Sequence, residues 1–371
     1  MLPLGPLNIV TGPNGAGKSN LYKALRLLAD TAQGGVVATL AREGGLTSTL
    51  WAGPEKLSRR MKSGEVAVEG TARTEPINLR LGFGTEQLGY AIDLGIPIPD
   101  QTLFTHDPEI KRECIFAPAV YRPSALLVDR RGPLVRARDD AGEWHQLAGS
   151  IAPFESIFAH SSDPERAPEV LRLREQIRSW RFYDHFRVDP ESPARQPVVG
   201  TRTPVLASDG RDLAAAMQTI HEIGDGPALN AAVEDAFPGA AVQPQQIDGR
   251  LKLEFRQPGL LRPLSAAELS DGTLRYLLWV AALLTPRPPA LMVLNEPETS
   301  LHPDLLPALA RLITRASQNA QVWVVSHATR LVSALKESKH CQAVLLEKPF
   351  GQTEAAGLGL LDLPPWKWPE R

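Results

Sequence analysis

The sequence feature that most constrains this chain is a glycine-rich loop close to its N-terminus. Gly12-Pro-Asn-Gly-Ala-Gly-Lys-Ser19 fits the pattern G-x-x-x-x-G-K-[ST] in full. The apolar residues 7–11 before the loop predict a short buried strand, and the apolar spacing of Asn20–Ala29 after it predicts a helix. Glycines let backbone N–H groups turn toward phosphate oxygens, and the positive end of a following helix attracts an anion. The loop therefore predicts nucleotide binding.

Two residues of this loop are assigned chemical roles. Lys18 is expected to reach the β- and γ-phosphates of ATP, and Ser19 is expected to place its hydroxyl on Mg²⁺. The alternative is a glycine-rich turn that fits the pattern by chance, which the strand–loop–helix context disfavours. The predicted phosphate-binding residues are Gly12, Pro13, Asn14, Gly15, Ala16, Gly17, Lys18, Ser19 and Asn20.

A second candidate segment is Leu291–Glu298, an apolar strand that ends in polar residues. In nucleotide hydrolases such a strand presents a carboxylate to Mg²⁺. Asn295 occupies that position here, and its amide keeps an acceptor oxygen but lacks the negative charge. Glu296 is placed to orient or deprotonate an attacking water. The structural alternative is a buried strand that ends at an ordinary helix cap.

Two further segments are candidates for phosphate contacts. Val322–Ser326 predicts another buried strand, and His327 at its end is predicted to sense the γ-phosphate, although a lone histidine after a strand is usually structural. Glu268–Thr273 precedes an apolar helix. Ser270 is a natural N-cap for that helix, and its functional interpretation is a second phosphate-binding helix N-terminus.

The order of apolar segments predicts the fold class. From Ser270 onward, helices alternate with apolar strands, which indicates an α/β protein with a parallel sheet and right-handed crossovers. Short alternating segments within residues 64–94, among them 65–69, predict an antiparallel β lobe, and 165–187 predicts a short helical arm. The predicted divisions are 1–150 with the P-loop and the β subdomain, 151–264 as a helical and mixed insertion, and 265–371 as a C-terminal ATPase lobe.

Composition excludes several classes of protein. Forty Lys and Arg against 42 Asp and Glu give a net charge of −2, which disfavours a uniformly basic coat for nucleic acid and leaves a local basic patch open. Cys114 and Cys341 cannot make a disulfide framework or a zinc site by themselves. The longest apolar run in the C-terminal third, Leu277–Leu284, is shorter than a membrane span, and the first residues do not fit a signal peptide. We expect a soluble cytoplasmic protein.

Four segments in combination resemble the ABC-type ATPases, specifically the small ATPases of the RecF/SMC/OLD-like branch. These are GPNGAGKSN (12–20), ELSDGTLRYL (268–277), LNEPETSLHP (294–303) and VVSHAT (324–329), in the family's order of P-loop, signature, acidic strand, D-loop and His switch. The resemblance implies a P-loop head that binds ATP and Mg²⁺, two copies of which form a homodimer around two ATP molecules. It assigns the signature role to Ser270 and Gly272, and places Ser300, Leu301 and His302 in the D-loop.

The sequence also narrows the type of ABC protein. Between Pro54 and Pro263 the longest proline-free stretch is 205–226, or roughly 33 Å if wholly helical, which excludes a long coiled coil. The residues after Glu347 are too few for a C-terminal Toprim domain. Heads of this kind normally begin with a strand and an aromatic-containing loop before a segment like Gly5–Thr11. We therefore expect either a start that is assigned too late or a missing first strand.

Two functions remain open from the sequence. The first is a slow ATPase that opens and closes a homodimer, with Glu296, His327 and Lys18 as catalytic residues and Ser19 and Asn295 as Mg²⁺ ligands. The second is a non-hydrolysing, ATP-switched binding module in which Asn295 has disabled catalysis. DNA repair or genome maintenance, phage defence and partner regulation all fit the same head. DNA binding has weak local support from the arginines of the helical arm, which are Arg172, Arg174, Arg178, Arg181 and Arg187.

Overall fold

The computed structural model describes residues 2–54, 58–68, 78–97, 103–104, 106–118, 120–147, 150–160, 163–358 and 368–369. The chain forms two compact units. Unit 1 comprises Met1–Pro3, Asn14–Ser179 and Glu347–Arg371, and unit 2 comprises Leu4–Pro13 and Trp180–Leu346.

Both units contain helices and strands. The helices are α1 (Lys18–Thr31), α2 (Val36–Arg42), α3 (Leu46–Thr49), α4 (Arg59–Lys62), α5 (Ile157–His160), α6 (Pro168–Ser179), α7 (Leu213–Ile223), α8 (Gly226–Ala236), α9 (Asp271–Leu283), α10 (Leu306–Ala316) and α11 (Thr329–Lys336). The strands are β1 (Leu7–Thr11), β2 (Asn78–Gly84), β3 (Gly89–Gly95), β4 (Glu109–Phe116), β5 (Leu126–Arg131), β6 (Leu134–Arg138), β7 (Trp144–Gln146), β8 (Arg181–Tyr183), β9 (Val198–Val199), β10 (Ala241–Ile247), β11 (Arg250–Arg256), β12 (Leu264–Ser265), β13 (Leu291–Asn295), β14 (Gln321–Val325), β15 (Cys341–Glu347) and β16 (Glu354–Ala355).

Unit 2 is built on a parallel sheet in the order β15-β1-β14-β13-β8. The helices α10 and α11 are the crossovers from β13 to β14 and from β14 to β15. The central strands β1, β13 and β14 are almost wholly buried, which explains their continuous apolar sequences. Because the strands are parallel, the residues that follow β1, β13 and β14 all leave the sheet at the same edge.

The core of unit 2 surrounds α9. Every residue of this helix from Leu274 to Leu283 is buried, so the helix is surrounded by the core, and all of these residues except Arg275 are apolar or aromatic. The ring of Trp279 packs edge-on against Phe186 at a centroid distance of 4.9 Å. A hairpin of β10 and β11, with β9 and β12 on the other edge of β11, completes unit 2.

Unit 1 contains the antiparallel sheet β2-β3-β4-β5-β6-β7 and the helices α1 to α6. Its most buried polar cluster centres on Glu113 of β4. The Glu113 carboxylate accepts hydrogen bonds from the Tyr90 hydroxyl at 2.7 Å, the Ser156 hydroxyl at 2.5 Å and the Ile157 amide at 2.9 Å, and it pairs with Arg130 at 3.2 Å. This cluster joins the sheet to the start of α5.

The α/β class, the parallel sheet, the antiparallel β lobe and a short helical arm are confirmed. Two local predictions are wrong. The helix predicted over 165–187 ends at Ser179, because Arg181–Tyr183 instead forms an edge strand that pairs with Met292–Leu294. Residues 65–68 form no strand, and Glu69 lies outside the described residues. The three-part domain division stays a prediction. No helix in the described part of the chain is long and apolar enough to cross a membrane.

Candidate nucleotide site

The P-loop reaches the start of α1 through backbone conformations that glycine adopts readily. Gly15 has φ +81° and Gly17 has φ +103°, both in the left-handed region. Gly17 also lacks room for a side chain, because a Cβ there would collide with the side chain of Thr353. The backbone conformation of the loop therefore favours glycine at both positions.

The N-terminus of α1 fits an anion. Gly17 precedes Lys18, the first helical residue, and supplies no side-chain cap, and the first turn of α1 carries no acidic residue. The N–H groups of a first helical turn lack partners within the helix and carry partial positive charge. A phosphate is the kind of cap that such an end accepts. Lys18 is nine-tenths buried at this position.

The strand that leads into the P-loop lies beside the His-switch strand. In unit 2, Val10 of β1 pairs with Val325 of β14, and the Ser326 amide donates to the Val10 carbonyl at 3.2 Å. Gly12, which opens the P-loop, follows β1 directly. The chain therefore enters the P-loop next to the segment that carries His327.

Glu296 occupies a strained position at the end of the next strand. Asn295 pairs with Val325, and the Glu296 amide donates to the Val325 carbonyl at 2.8 Å. Glu296 has φ +47°, which costs a non-glycine residue free energy. Its side chain is about half exposed. The strand thus ends in a turn that holds an accessible carboxylate.

His327 lies between two carboxylates. Its Nδ1 atom is 3.6 Å from Oε1 of Glu296 and 3.8 Å from Oε1 of Glu298. The ring is more than half exposed, so it is open to a ligand from solvent. The structure brings the predicted residues Glu296 and His327 together.

Glu298 is a site residue that sequence reasoning missed. Its Oε1 atom accepts hydrogen bonds from the Ser326 hydroxyl at 2.7 Å and from the amides of His327 and Ala328 at 3.2 Å each. The carboxylate therefore caps the N-terminus of α11, whose own N-cap residue, Ala328, has no side chain for this purpose. Its Oε2 atom is buried and has no hydrogen-bond partner among the described residues. The sequence signal was an acidic residue two positions after Glu296.

Ser270 is the N-cap of α9, as its sequence predicted. Its hydroxyl accepts a hydrogen bond from the Thr273 amide at 3.2 Å, and the side chain is exposed. Just before it, Glu268 forms a capping box with Ser265 and pairs with Arg262 at 2.6 Å. The hydrogen bond from Arg262 lowers the pKa of Glu268 to about 2.

A buried arginine binds the backbone of the segment that leads into α9. Arg195 donates to the carbonyls of Ala266 at 2.9 Å and Leu269 at 2.8 Å, and it pairs with Asp271 at 2.8 Å. It also donates to the Val188 carbonyl at 2.6 Å. These four bonds connect Arg195 to residue 188 and to residues 266–271, and they hold the backbone that leads to Ser270. No sequence motif marks Arg195, because most of its acceptors are backbone atoms.

The D-loop, defined as Pro297–His302, lies against the signature helix. Ser300 has φ +60°, and the side chain of His302 is exposed, as is that of Asp304 beyond it. Gly272 faces the D-loop closely, because a Cβ on it would lie 3.2 Å from the Ser300 carbonyl oxygen. Unit 2 contains Ser300, Gly272 and the strand residue Asn295. Unit 1 contains the P-loop residues Asn14–Ser19 and the following Asn20.

The chemistry of the predicted Mg²⁺ ligands fits a nucleotide-bound ion. In the described residues, no group of three or more His, Cys, Asp or Glu is arranged to hold a metal by itself. Ser19 and Asn295 offer a hydroxyl and a carbonyl oxygen, which are hard donors of the kind that Mg²⁺ prefers. Mg²⁺ usually takes few protein ligands and completes its shell with waters and substrate phosphates.

The arginines of the helical arm are largely engaged within the protein. Arg178 donates to the Ala32 carbonyl at 3.1 Å and pairs with Glu175 at 3.4 Å. Arg187 pairs with Asp189 at 2.7 Å. These contacts reduce the positive charge that the arm offers to DNA, and DNA binding stays a prediction.

Comparison with known proteins gives a family and a fold. A family model described as "AAA domain, putative AbiEii toxin, Type IV TA system" matches residues 7–333. An SMC head, solved bound to the C-winged helix domain of ScpA, is 12% identical, with 97% of this chain and 93% of that chain covered at a TM-score of 0.51. The SMC head domain from Thermotoga maritima is 13% identical over the same shares, at a TM-score of 0.42. A search of curated proteins finds no significant match. The first structure supports an SMC-head type of ABC ATPase fold.

Proposed function

Because the chain belongs to the AAA-domain family whose model spans residues 7–333, we propose that it is a slow ATPase that binds Mg-ATP and closes a homodimer around two nucleotides. The observation that carries this proposal is the pairing of Glu296 with His327. These side chains follow two neighbouring parallel strands and lie 3.6 Å apart. The strand before His327 also pairs with the strand that leads into the P-loop.

Each residue has a distinct role in the proposed reaction. Lys18 and the first turn of α1 bind the β- and γ-phosphates. Glu296 orients a water and accepts its proton, since its carboxylate is exposed and held in a fixed turn. His327 contacts the γ-phosphate, and Glu298 positions His327 through its backbone amide. Mg²⁺, with Ser19 and Asn295 as proposed ligands, neutralises phosphate charge when bound.

Asn295 is the reason to expect slow turnover. An amide oxygen can coordinate Mg²⁺, but one negative charge near the ion is missing. This residue also favours the second candidate, an ATP-switched binding module that does not hydrolyse ATP. A phosphate-release assay separates the two, with Glu296→Gln as the control. Release by the wild type above that of Glu296→Gln supports the ATPase, and equal release supports the switch.

The proposed homodimer follows from the signature segment. In the family arrangement, Ser270 and Gly272 of one copy face the γ-phosphate held by the P-loop of the other. A two-fold contact of this kind creates two equivalent sites, each with residues from both chains. ADP lacks the γ-phosphate, so ATP favours the dimer and ADP the monomer. A role in DNA repair, genome maintenance or phage defence is compatible with such a switch.

Sedimentation of Glu296→Gln tests the dimer directly. Without hydrolysis, Mg-ATP should trap the dimer, and Mg-ADP should leave the protein monomeric. Lys18→Ala in the same background is the control, because it should stay monomeric with either nucleotide. If Glu296→Gln remains a monomer with saturating Mg-ATP, the sandwich is refuted.

A further inference from the structure

One face of the signature helix α9 holds the backbone of the D-loop at three points. Gly272, Arg275 and Trp279 follow one another at spacings of three and four, so they share a side of the helix. Gly272 packs against the Ser300 carbonyl, where a Cβ would lie at 3.2 Å. Arg275 Nη1 donates to the Thr299 carbonyl at 2.9 Å, and Trp279 Nε1 donates to the Pro297 carbonyl at 3.0 Å.

Arg275 is the unusual member of this set. It is only 3% exposed, and its other terminal nitrogen, Nη2, donates to the Phe186 carbonyl at 2.8 Å. Within the described residues it has no carboxylate at ion-pair distance, and its Nε atom has no partner. A buried guanidinium that donates only to neutral carbonyls is costly for folding alone, because its burial lowers the pKa of Arg275 and only the more distant charge of Asp271 opposes that shift. A packing role would be served better by an apolar residue.

The D-loop needs an external hold of this kind. Ser300 adopts φ +60°, a conformation that non-glycine residues rarely adopt. Residues 297–300 form a turn, whose backbone bonds include those from the Thr299 amide to the Glu296 carbonyl and from the Leu301 amide to the Glu298 carbonyl. The Thr299 and Pro297 carbonyls would otherwise be free to turn. Arg275 and Trp279 hold these two carbonyls on the α9 side, and Glu298 holds the loop on the side of Ser326.

We propose that Arg275 is a positioning residue that makes the D-loop and the signature helix one rigid surface, presented to the second copy in the ATP-bound dimer. This inference rests on the proposed function. Ser270 stands at the start of α9 and His302 at the end of the D-loop, so the Arg275 contact fixes one relative to the other. Arg275 itself is buried, so it acts through these contacts.

The same contacts tie α9 to the proposed catalytic carboxylate. Trp279 holds the carbonyl of Pro297, and Pro297 is bonded directly to Glu296, whose strained turn sets its carboxylate. A displacement of α9 by the partner's nucleotide would therefore be carried to Glu296 through one residue. This gives the two sites of the dimer a physical connection through a defined set of hydrogen bonds.

The first test compares Arg275→Gln and Arg275→Lys with Arg315→Gln, each in the Glu296→Gln background. Arg315 is a matched control, since it is an exposed arginine of unit 2 that pairs with Asp225 on the surface. Arg275→Gln should bind Mg-ATP as the parent does, because the P-loop is unchanged. Its dimer should dissociate with a Kd raised about tenfold or more, with Arg275→Lys intermediate and Arg315→Gln unchanged. An unchanged dimer Kd in Arg275→Gln would overturn the proposal.

Amide hydrogen exchange measures the D-loop in the monomer and keeps the test independent of dimerisation. The Thr299 and Leu301 amides, which donate within the loop, should exchange about tenfold faster in Arg275→Gln. Exchange at the parental rate in a folded variant refutes the positioning role. If the parent itself stays monomeric with ATP, the proposed function fails, and the exchange rates alone decide whether Arg275 holds the D-loop.

Mixing experiments test whether Arg275 acts on the partner's site. In a mixed dimer of Lys18→Ala and Arg275→Gln, one site receives both defects and the other receives neither. An equal mixture should thus hydrolyse ATP faster than either variant alone, since each mixed dimer has one intact site. Lys18→Ala with Glu296→Gln should recover nothing, because both residues serve their own chain's nucleotide. Failure of the first mixture to exceed its components contradicts the role in trans.

Discussion

The carboxylate of Glu298 accepts a hydrogen bond from the Ser326 hydroxyl at 2.7 Å, which ties the turn after β13 to the end of β14. Through the same oxygen it also holds the amides of His327 and Ala328. The His switch is therefore positioned by a residue of the acidic-strand motif, two places after the proposed catalytic carboxylate. This relationship gives the first prediction.

Glu298→Ala should lower the free energy of unfolding by roughly 2–4 kcal/mol, because the Ser326 hydroxyl and the His327 amide lose their acceptor beside a buried carboxylate, while the Ala328 amide keeps the Ser326 hydroxyl as acceptor. Glu298→Gln should cost less, since its amide carbonyl can accept the same bonds. Both proteins should be compared by chemical denaturation. Equal losses for Ala and Gln would show that the carboxylate charge matters, rather than the hydrogen bonds.

Much of the fold could be predicted from the sequence. The strands β1, β13, β14 and β15 are short apolar runs, and their alternation with helices requires a parallel sheet. The hairpin turn at Asp248-Gly249 is equally local, with both residues at positive φ. Arg181–Tyr183 was misassigned to a helix, because its strand conformation comes from pairing with β13, more than a hundred residues later.

The candidate site was predictable only where a residue type signals its own chemistry. The P-loop, Glu296 and His327 carry such signals in their motifs. Arg195 and Arg275 do not, because they act mainly on backbone carbonyls of distant segments, and any sequence supplies carbonyls. Their partners become apparent only when the chain is folded.

Lys18→Ala should weaken ATP binding by roughly 10- to 100-fold, since hydrogen bonds to charged groups contribute about 1.5–3 kcal/mol. Lys23→Ala is the matched control in the same helix. Lys23 is exposed and pairs with Glu43 at 2.5 Å, and such surface pairs contribute little to stability. Calorimetric titration with Mg-ATP measures both. Unchanged affinity in Lys18→Ala would contradict the P-loop assignment.

Asn295→Asp should restore the missing charge next to Mg²⁺. We expect the Mg²⁺ concentration for half-maximal hydrolysis to fall about tenfold, and the rate to rise. Asn295→Ala should raise that concentration, because it removes the acceptor oxygen as well. ATP hydrolysis rates measured over a series of Mg²⁺ concentrations test this prediction. An Asp variant that shows the wild-type Mg²⁺ dependence places the ion away from residue 295.

The two cysteines should differ in reactivity. Burial raises the pKa of Cys114 to about 12, so its thiolate is scarce at neutral pH and alkylation should require unfolding. The pKa of Cys341 is also raised by burial, but its side chain is partly accessible, so it should react first. Mass spectrometry after iodoacetamide treatment, with and without denaturant, measures both. Early labelling of Cys114 in the native protein would show that its part of the β lobe opens.

Ser270 allows the N-cap role to be separated from the proposed phosphate role. Asn and Asp both replace Ser well as N-caps, and an Asp also suits the positive end of a helix, so neither substitution should reduce stability by more than about 1 kcal/mol. They differ at a bound anion, because the Asp carboxylate repels a γ-phosphate and the Asn amide does not. In the Glu296→Gln background, Ser270→Asp should therefore abolish ATP-dependent dimerisation, and Ser270→Asn should retain it. Mg-ATP affinity of the monomer should be unchanged in both, since the P-loop of each chain is intact. Sedimentation with Mg-ATP is the measurement, and equal dimerisation of the Asn and Asp variants would show that Ser270 serves α9 as a cap and nothing more.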